Sequence, residues 1–123
     1  MRKPSKTTLR KKLDATWSRI IRSKGACEVC GKSENLNSHH LIGRRDLSLR
    51  WVPMNGVCLC AGCHTFKLQS AHQDPLWFHQ WLLENKGQDY LNELNRLREL
   101  KSYKIADYEL ILADLIQIEE RLK

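Results

Sequence analysis

Two pairs of cysteines are the first feature of the 123-residue chain that could do chemistry. Each pair has two residues between its thiols, and the pairs are Cys27 with Cys30 and Cys60 with Cys63. Such pairs can present four thiolates to one tetrahedral zinc ion, so we predict a structural Zn²⁺ site. The fifth cysteine, Cys58, is predicted to be a small buried hydrophobic residue. Disulfides are the weaker alternative, because the number of cysteines is odd and no export signal is evident.

Three histidines lie between or beside these cysteine pairs: His39, His40 and His64. Adjacent residues on a strand point to opposite faces, so we expect His39 and His40 to have different roles. One can bind a metal ion, while the other can accept a proton from water near neutral pH. His64 follows Cys63 in a predicted helix and can turn back towards the same metal ion.

The two remaining histidines, His72 and His79, lie further along the chain. His72 is a plausible third metal ligand if the predicted helix ends near Gln69 and the chain then folds back. If the helix continued unbroken instead, His72 would be about 12 Å from His64. His79 falls inside a later predicted helix, and we interpret it as a structural residue.

The elements that must position these side chains follow from the apolar pattern. The predicted helices cover residues 7–24, 61–69, 75–86 and two stretches within 88–123, and the predicted strands cover residues 36–42 and 56–60. The expected fold class is therefore α+β, a small ββ and helix core braced by zinc with flanking α-helices at both ends. The last two helices are expected to form a hairpin that docks on the core, with a dimer-forming coiled coil as the alternative.

Charge is concentrated near the N-terminus. The chain has 21 Lys and Arg against 14 Asp and Glu, a formal net charge of +7, which favours an acidic partner such as nucleic acid. Residues 1–24 hold nine basic side chains, Lys11 and Lys12 among them, and Asp14 is their only acid. We expect this amphipathic helix to lie against phosphate.

Length and composition exclude several classes of protein. The chain is long enough for one domain with helical extensions, and its 41% hydrophobic content is too high for a disordered protein. No apolar run is long enough to cross a membrane, and the N-terminal residues lack the apolar stretch of a secretory signal. We therefore expect no membrane partner and a cytoplasmic location.

The chemistry-bearing residues together resemble the HNH endonuclease family, whose ββα-metal motif is often braced by a four-cysteine zinc site. The resemblance is carried by Cys27-x2-Cys30, His39-His40, Asn55 and Cys60-x2-Cys63-His64. Asn55 lies fifteen residues after His40, and His64 lies nine residues after Asn55. The similar region covers residues 25–73. Its sequence at His39-His40-Leu41-Ile42-Gly43-Arg44-Arg45 is most similar to small phage-type members of the family.

The resemblance implies a metal-dependent endonuclease that hydrolyses DNA phosphodiester bonds. His40 would be the general base, His39 and His64 would hold a catalytic divalent metal ion, and Asn55 would fix the loop that orients His40. His72 would complete the metal site. The metal ion would be Mg²⁺, Mn²⁺, Ni²⁺ or Zn²⁺, and an imidazole at His39, where many members carry aspartate, favours the last three.

These expectations divide the chain into a basic helix (1–24), a nuclease core (25–73) and C-terminal helices (74–123). Arg44, Arg45 and Arg50 lie on the loop between the strands and could bind DNA beside Lys11 and Lys12. Two alternatives stay open. The chain could be a non-catalytic zinc-ribbon DNA-binding or adaptor protein, or a junction-resolving nuclease that acts as a homodimer rather than a monomer.

Overall fold

The computed structural model describes residues 4–100 and 107–123 of the chain. In these residues, a two-stranded antiparallel sheet is formed by β1 (Leu36–His40) and β2 (Gly56–Cys60). The α-helices are α1 (Lys6–Arg22), α2 (Pro75–Lys86), α3 (Gln88–Leu100) and α4 (Tyr108–Arg121). A 3₁₀ turn, Pro53–Asn55, precedes β2, and a π-helical turn, Gly62–Phe66, follows it. The predicted α+β class is confirmed.

Helix α1 begins at a serine cap and buries one apolar face. The Ser5 hydroxyl accepts a hydrogen bond of 3.1 Å from the Thr8 amide, which satisfies one unpaired N–H of the first turn. The buried side chains repeat at helical spacing and are Leu9, Leu13, Thr16, Trp17, Ile20 and Ile21. The helix therefore packs against the sheet through this apolar face, while its basic side chains lie on the outer faces.

The close approach of α1 to the sheet depends on Gly56. A Cβ atom at this position would lie 2.6 Å from Ile21 Cγ1 and 2.7 Å from Trp17 Cζ2, both inside normal contact distance. Gly56 pairs with His40 in the antiparallel register, so the glycine lets Trp17 reach the end of β1 that carries His40.

The two faces of the sheet are covered by different elements. On one face, α1 forms a core with Trp51, Cys58, Tyr108 and Leu115, and α4 packs along α1. On the other face, a core is formed by Cys27, Cys60 and Cys63 together with Val57 and Leu59 of β2 and Phe78 and Leu82 of α2. β2 is fully buried, whereas β1 is half-buried with one open edge.

Some element predictions are wrong in detail. The helix predicted over 61–69 is only the five-residue turn Gly62–Phe66. The strand predicted over 36–42 ends at His40, because the amide of Ile42 is bound by the Asn55 side chain. Within α2, Phe78 is buried, whereas Leu76 near its start is 84% exposed.

The two C-terminal helices have different packing partners, since α3 packs against α2 and α4 packs against α1. This differs from the expected hairpin, in which the two helices would pack mainly against each other. None of the described helices combines the length and the apolar character needed to cross a membrane.

Candidate metal centres

Four cysteine sulfurs converge at one end of the sheet. The Sγ atoms of Cys27, Cys30, Cys60 and Cys63 all lie within 4.8 Å of one another, and those of Cys30 and Cys60 are 3.7 Å apart. Tetrahedral zinc with Zn–S bonds of about 2.3 Å requires sulfurs about 3.8 Å apart. The cluster therefore fits a structural zinc ion in both its ligand type and its size.

The backbone around this cluster has the geometry of a metal-binding turn. Gly31, with a φ of +80°, lets the chain reverse after Cys30, and its amide donates to the Cys27 carbonyl at 2.8 Å. The Cys63 amide donates to the Cys60 sulfur at 3.4 Å. Burial opposes ionisation of Cys60, but this amide and the neighbouring thiols outweigh burial and lower the pKa of Cys60 to about 7.

Cys58 is not part of the four-cysteine cluster. Its side chain is fully buried in the core under α1, and burial raises the pKa of its thiol. The Cys58 amide donates to a carboxylate oxygen of Glu28 at 2.7 Å. The residue acts as a small apolar side chain, as its sequence context predicts.

A second cluster, the imidazole cluster, is formed by His39, His64 and His72. One ring nitrogen from each lies within 4.8 Å of the other two, and Nε2 of His64 is 3.1 Å from Nε2 of His72. Two ligands of a tetrahedral zinc ion with Zn–N bonds of about 2.05 Å would be about 3.3 Å apart. Three convergent imidazoles thus fit a transition-metal ion and leave coordination positions for water or substrate.

His72 reaches the imidazole cluster because the chain reverses after the Gly62–Phe66 turn. The Ala71 amide donates to the Cys63 carbonyl at 2.8 Å, and the His72 amide donates to the His64 carbonyl at 3.1 Å. These bonds bring His72 alongside His64 although eight positions separate them in sequence. The short turn, in place of the longer helix, is what makes the third imidazole available.

The surroundings of His39 and His64 favour the neutral forms of both imidazoles. Burial lowers the pKa of His39 to about 3, and the imidazoles of His64 and His72 act in the same direction. Burial also lowers the pKa of His64, with His72 adding to the effect. Neutral imidazoles have the lone pairs that metal binding requires.

His40 occupies the opposite face of β1 from His39. Its ring stacks on the indole of Trp17 with the centroids 3.9 Å apart, whereas the His39 ring packs edge-on against His64, His72 and Phe78. Nε2 of His40 lies 2.9 Å from the Arg50 carbonyl, which can only accept a hydrogen bond. Nε2 therefore carries the proton, and Nδ1 keeps its lone pair. Burial lowers the pKa of His40, although the Arg50 carbonyl opposes the shift.

Asn55 is fully buried and holds both ends of the loop between the strands. Its Oδ1 accepts from the Ile42 amide at 2.7 Å, and its Nδ2 donates to the carbonyls of Ile42 and Leu49 at 3.0 and 3.1 Å. The loop carbonyl that binds His40 belongs to Arg50, the residue after Leu49. Asn55 thereby fixes the surroundings of the His40 ring.

Asp14 is a residue of this site that sequence reasoning missed. Its carboxylate accepts from Trp51 Nε1 at 2.8 Å, from Arg50 Nε and Nη2 at 3.0 and 2.7 Å, and from Arg44 Nη2 at 3.3 Å. Burial opposes ionisation, but these donors together lower the pKa of Asp14. The available signal was that Asp14 is the single acid among nine basic residues in 1–24.

The predicted DNA-binding residues differ in their surroundings. Arg50 is largely buried and paired with Asp14, and the tryptophan beside it, Trp51, is part of the core. Arg44 contacts the same carboxylate but keeps 64% of its side chain exposed. Arg45, Lys11 and Lys12 are exposed on the surface.

Comparisons with models of protein families, with curated proteins and with solved structures found no match.

Proposed function

We propose that the protein is a metal-dependent endonuclease of the HNH type that hydrolyses DNA phosphodiester bonds. The observation that carries the proposal is that the two adjacent histidines of β1 lie in different surroundings. His39 joins an imidazole cluster of metal-binding size on one face, and His40 is held apart from it on the other. A purely structural zinc module has no need for the second arrangement.

His40 would act as the general base. Its Nε2–H is committed to the Arg50 carbonyl, so Nδ1 is the atom that would remove a proton from the attacking water. The Trp17 ring restricts rotation of the imidazole by stacking against it. Asn55 would be a positioning residue, because it fixes the loop that carries the Arg50 carbonyl.

His39, His64 and His72 would hold the catalytic metal ion. When bound, this ion would neutralise charge on the phosphate and assist departure of the 3′ oxygen. All three donors are imidazole nitrogens, which suit Zn²⁺, Ni²⁺ and Mn²⁺ better than Mg²⁺. The four-cysteine cluster would hold a separate zinc ion with a structural role.

DNA is the proposed partner because of the charge distribution. The net charge of +7 and the exposed basic side chains of Lys11, Lys12, Arg44 and Arg45 would attract the phosphate backbone. Contacts of this kind position a protein on DNA without reading its sequence. We therefore propose weak sequence preference, with the chain acting as a monomer or a homodimer.

The test is plasmid nicking by the zinc-loaded protein with Mg²⁺, Mn²⁺, Ni²⁺ or further Zn²⁺ added. We expect the parent to nick the plasmid and His40→Ala to do so at a rate about 10²- to 10⁴-fold lower. His79→Ala is the matched control, because His79 is an exposed histidine on α2 outside the imidazole cluster, and it should nick like the parent. Zinc content and thermal unfolding of each variant show whether the fold is retained.

Two results would contradict the proposal. Equal nicking by the parent and His40→Ala would remove the general-base role. No nicking with any metal ion would favour a zinc-ribbon DNA-binding or adaptor protein. Paired incisions on four-way junctions, together with a dimer in sedimentation, would instead identify a junction-resolving enzyme that uses the same chemistry.

A further inference from the structure

Two adjoining depressions lie between α1 and the open edge of β1. The first, of about 340 Å³, is lined by Ser18, Arg22, Leu36, Asn37, Ser38 and His64. The second, of about 220 Å³, is lined by Asp14, Trp17, Ser18, Ser38, His40 and Arg44. Both share Ser18 and Ser38, so they form one trough, here called the α1 groove. It connects His64 of the imidazole cluster with His40 on the other face of the strand.

The centre of the α1 groove carries a pair of hydroxyl groups. The Oγ atoms of Ser18 and Ser38 are 2.8 Å apart and hydrogen-bond to each other. One hydroxyl proton is used in that bond, and the Arg22 Nε–H donates to Ser18 Oγ at 3.2 Å. Whichever serine donates to the other, one hydroxyl proton is left to donate to a ligand. The ligand class that this arrangement suits is an acceptor such as a phosphate oxygen.

Guanidinium groups border the α1 groove at both ends. Arg22 is exposed, and in residues 4–100 and 107–123 no carboxylate forms a salt bridge with it. Arg44, at the other end, shares the Asp14 carboxylate with Arg50. Asp14 is the acidic side chain among the lining residues, and Arg50 already pairs with it through two hydrogen bonds. The groove as a whole therefore favours an anion.

We infer that the α1 groove binds the phosphodiester backbone of the DNA strand that is cut, with Arg22 and the Ser18–Ser38 pair contacting a phosphate next to the scissile one. This inference rests on the proposed function, since it takes DNA as the substrate. It assigns direct contacts with the cut strand to Ser18 and Arg22 of α1, which lie outside the region that resembles HNH nucleases. The strand would cross the edge of β1 at Ser38 and so meet both the imidazole cluster and His40.

The experiment measures binding of a short fluorescein-labelled DNA duplex to the zinc-loaded protein by anisotropy, without added catalytic metal, over a range of salt concentrations. We expect Arg22→Gln to raise the Kd about 5-fold and to reduce the slope of log Kd against log salt by about one. Arg22→Lys keeps the charge and should keep the slope. Arg98→Gln on α3 is the matched control, because it removes the same charge from an exposed arginine away from the groove.

Ser38→Ala provides a second measurement that does not change the charge. We expect it to raise the Kd about 3-fold with the salt slope unchanged, because it removes one hydrogen bond to a phosphate. Thermal unfolding shows that each variant is folded. The same Kd and salt slope for Arg22→Gln and Arg98→Gln would overturn the inference.

Failure of the inference and failure of the proposed function give different results. If the protein nicks DNA but Arg22→Gln changes neither the Kd nor the salt slope, the groove assignment is wrong and the nuclease proposal stands. If Arg22→Gln and Ser38→Ala weaken binding as expected but no metal ion supports nicking, the groove assignment stands and the nuclease proposal is wrong.

Discussion

The imidazole of His40 donates a hydrogen bond of 2.9 Å from Nε2 to the backbone carbonyl of Arg50. The side chain of the same arginine is held by Asp14 through two hydrogen bonds of 3.0 and 2.7 Å. An acid on α1 therefore fixes the loop residue that selects the tautomer of the candidate general base. The orientation of His40 depends on tertiary contacts with a helix that lies outside the similar region.

We predict that Asp14→Asn destabilises the protein in a pH-dependent manner. The hydrogen-bond donors around Asp14 hold its pKa below the unfolded value of about 3.9. The ionised carboxylate therefore stabilises the folded protein above that pH, and this contribution is lost as the pH falls through the folded-state pKa. The difference in unfolding free energy between parent and variant should be on the order of 1 kcal/mol at pH 7 and should shrink below about pH 4.

The measurement is thermal unfolding of both proteins across this pH range. Acid also removes zinc, but it does so from both proteins, and the difference between them isolates Asp14. Asp114→Asn, at an exposed aspartate in the middle of α4, serves as the control and should behave like the parent at each pH. A difference that stays constant down to pH 3 would count against the role of the Asp14 carboxylate.

Asn55→Ala should lower the free energy of unfolding by about 2 to 4 kcal/mol, because it leaves the part-buried amide and carbonyl of Ile42 without their Asn55 partner and removes one of the two hydrogen bonds to the Leu49 carbonyl. Urea unfolding measures this loss. Asn92→Ala on α3 changes an exposed asparagine and should cost less than about 0.5 kcal/mol. Similar losses for the two variants would show that Asn55 does not hold the loop.

Zinc content should distinguish Cys60 from Cys58. We expect Cys60→Ser to reduce tightly bound zinc and the unfolding temperature together, because a structural zinc ion contributes folding free energy directly. Cys58→Ala should keep the zinc and lose only about 1 kcal/mol of packing. Elemental analysis of the purified variants checks both outcomes, and loss of zinc from Cys58→Ala would contradict the assignment of the ligands.

Removal of His72 should weaken the second metal site and leave the first intact. We expect His72→Ala to reduce Ni²⁺ or Zn²⁺ affinity at the imidazole cluster at least 10-fold, since one of three convergent nitrogens is lost. Calorimetric titration measures this change, starting from protein that carries one equivalent of zinc at the four-cysteine cluster. His79→Ala should titrate like the parent. An unchanged affinity in His72→Ala would exclude it as a ligand.

Several features followed from the sequence because they depend on short-range spacing. Each C-x2-C pair presents its two thiols together because of its own turn, and the four thiolates that one structural zinc ion needs predicted that the two pairs would meet. The opposite placement of His39 and His40 follows from strand geometry. The range and buried face of α1 follow from its helical periodicity, to within two residues at its C-terminal end.

Tertiary structure alone decided how distant parts of the chain meet. The arrival of His72 at the imidazole cluster depends on a chain reversal held by backbone bonds to Cys63 and His64, which no side-chain pattern encodes. The pairing of Asp14 with Arg50 joins α1 to a loop more than thirty residues later, and a charge in sequence does not specify its partner. Spacing therefore determined which residues could bind metal, while long-range packing determined which of them are brought together and how His40 is oriented.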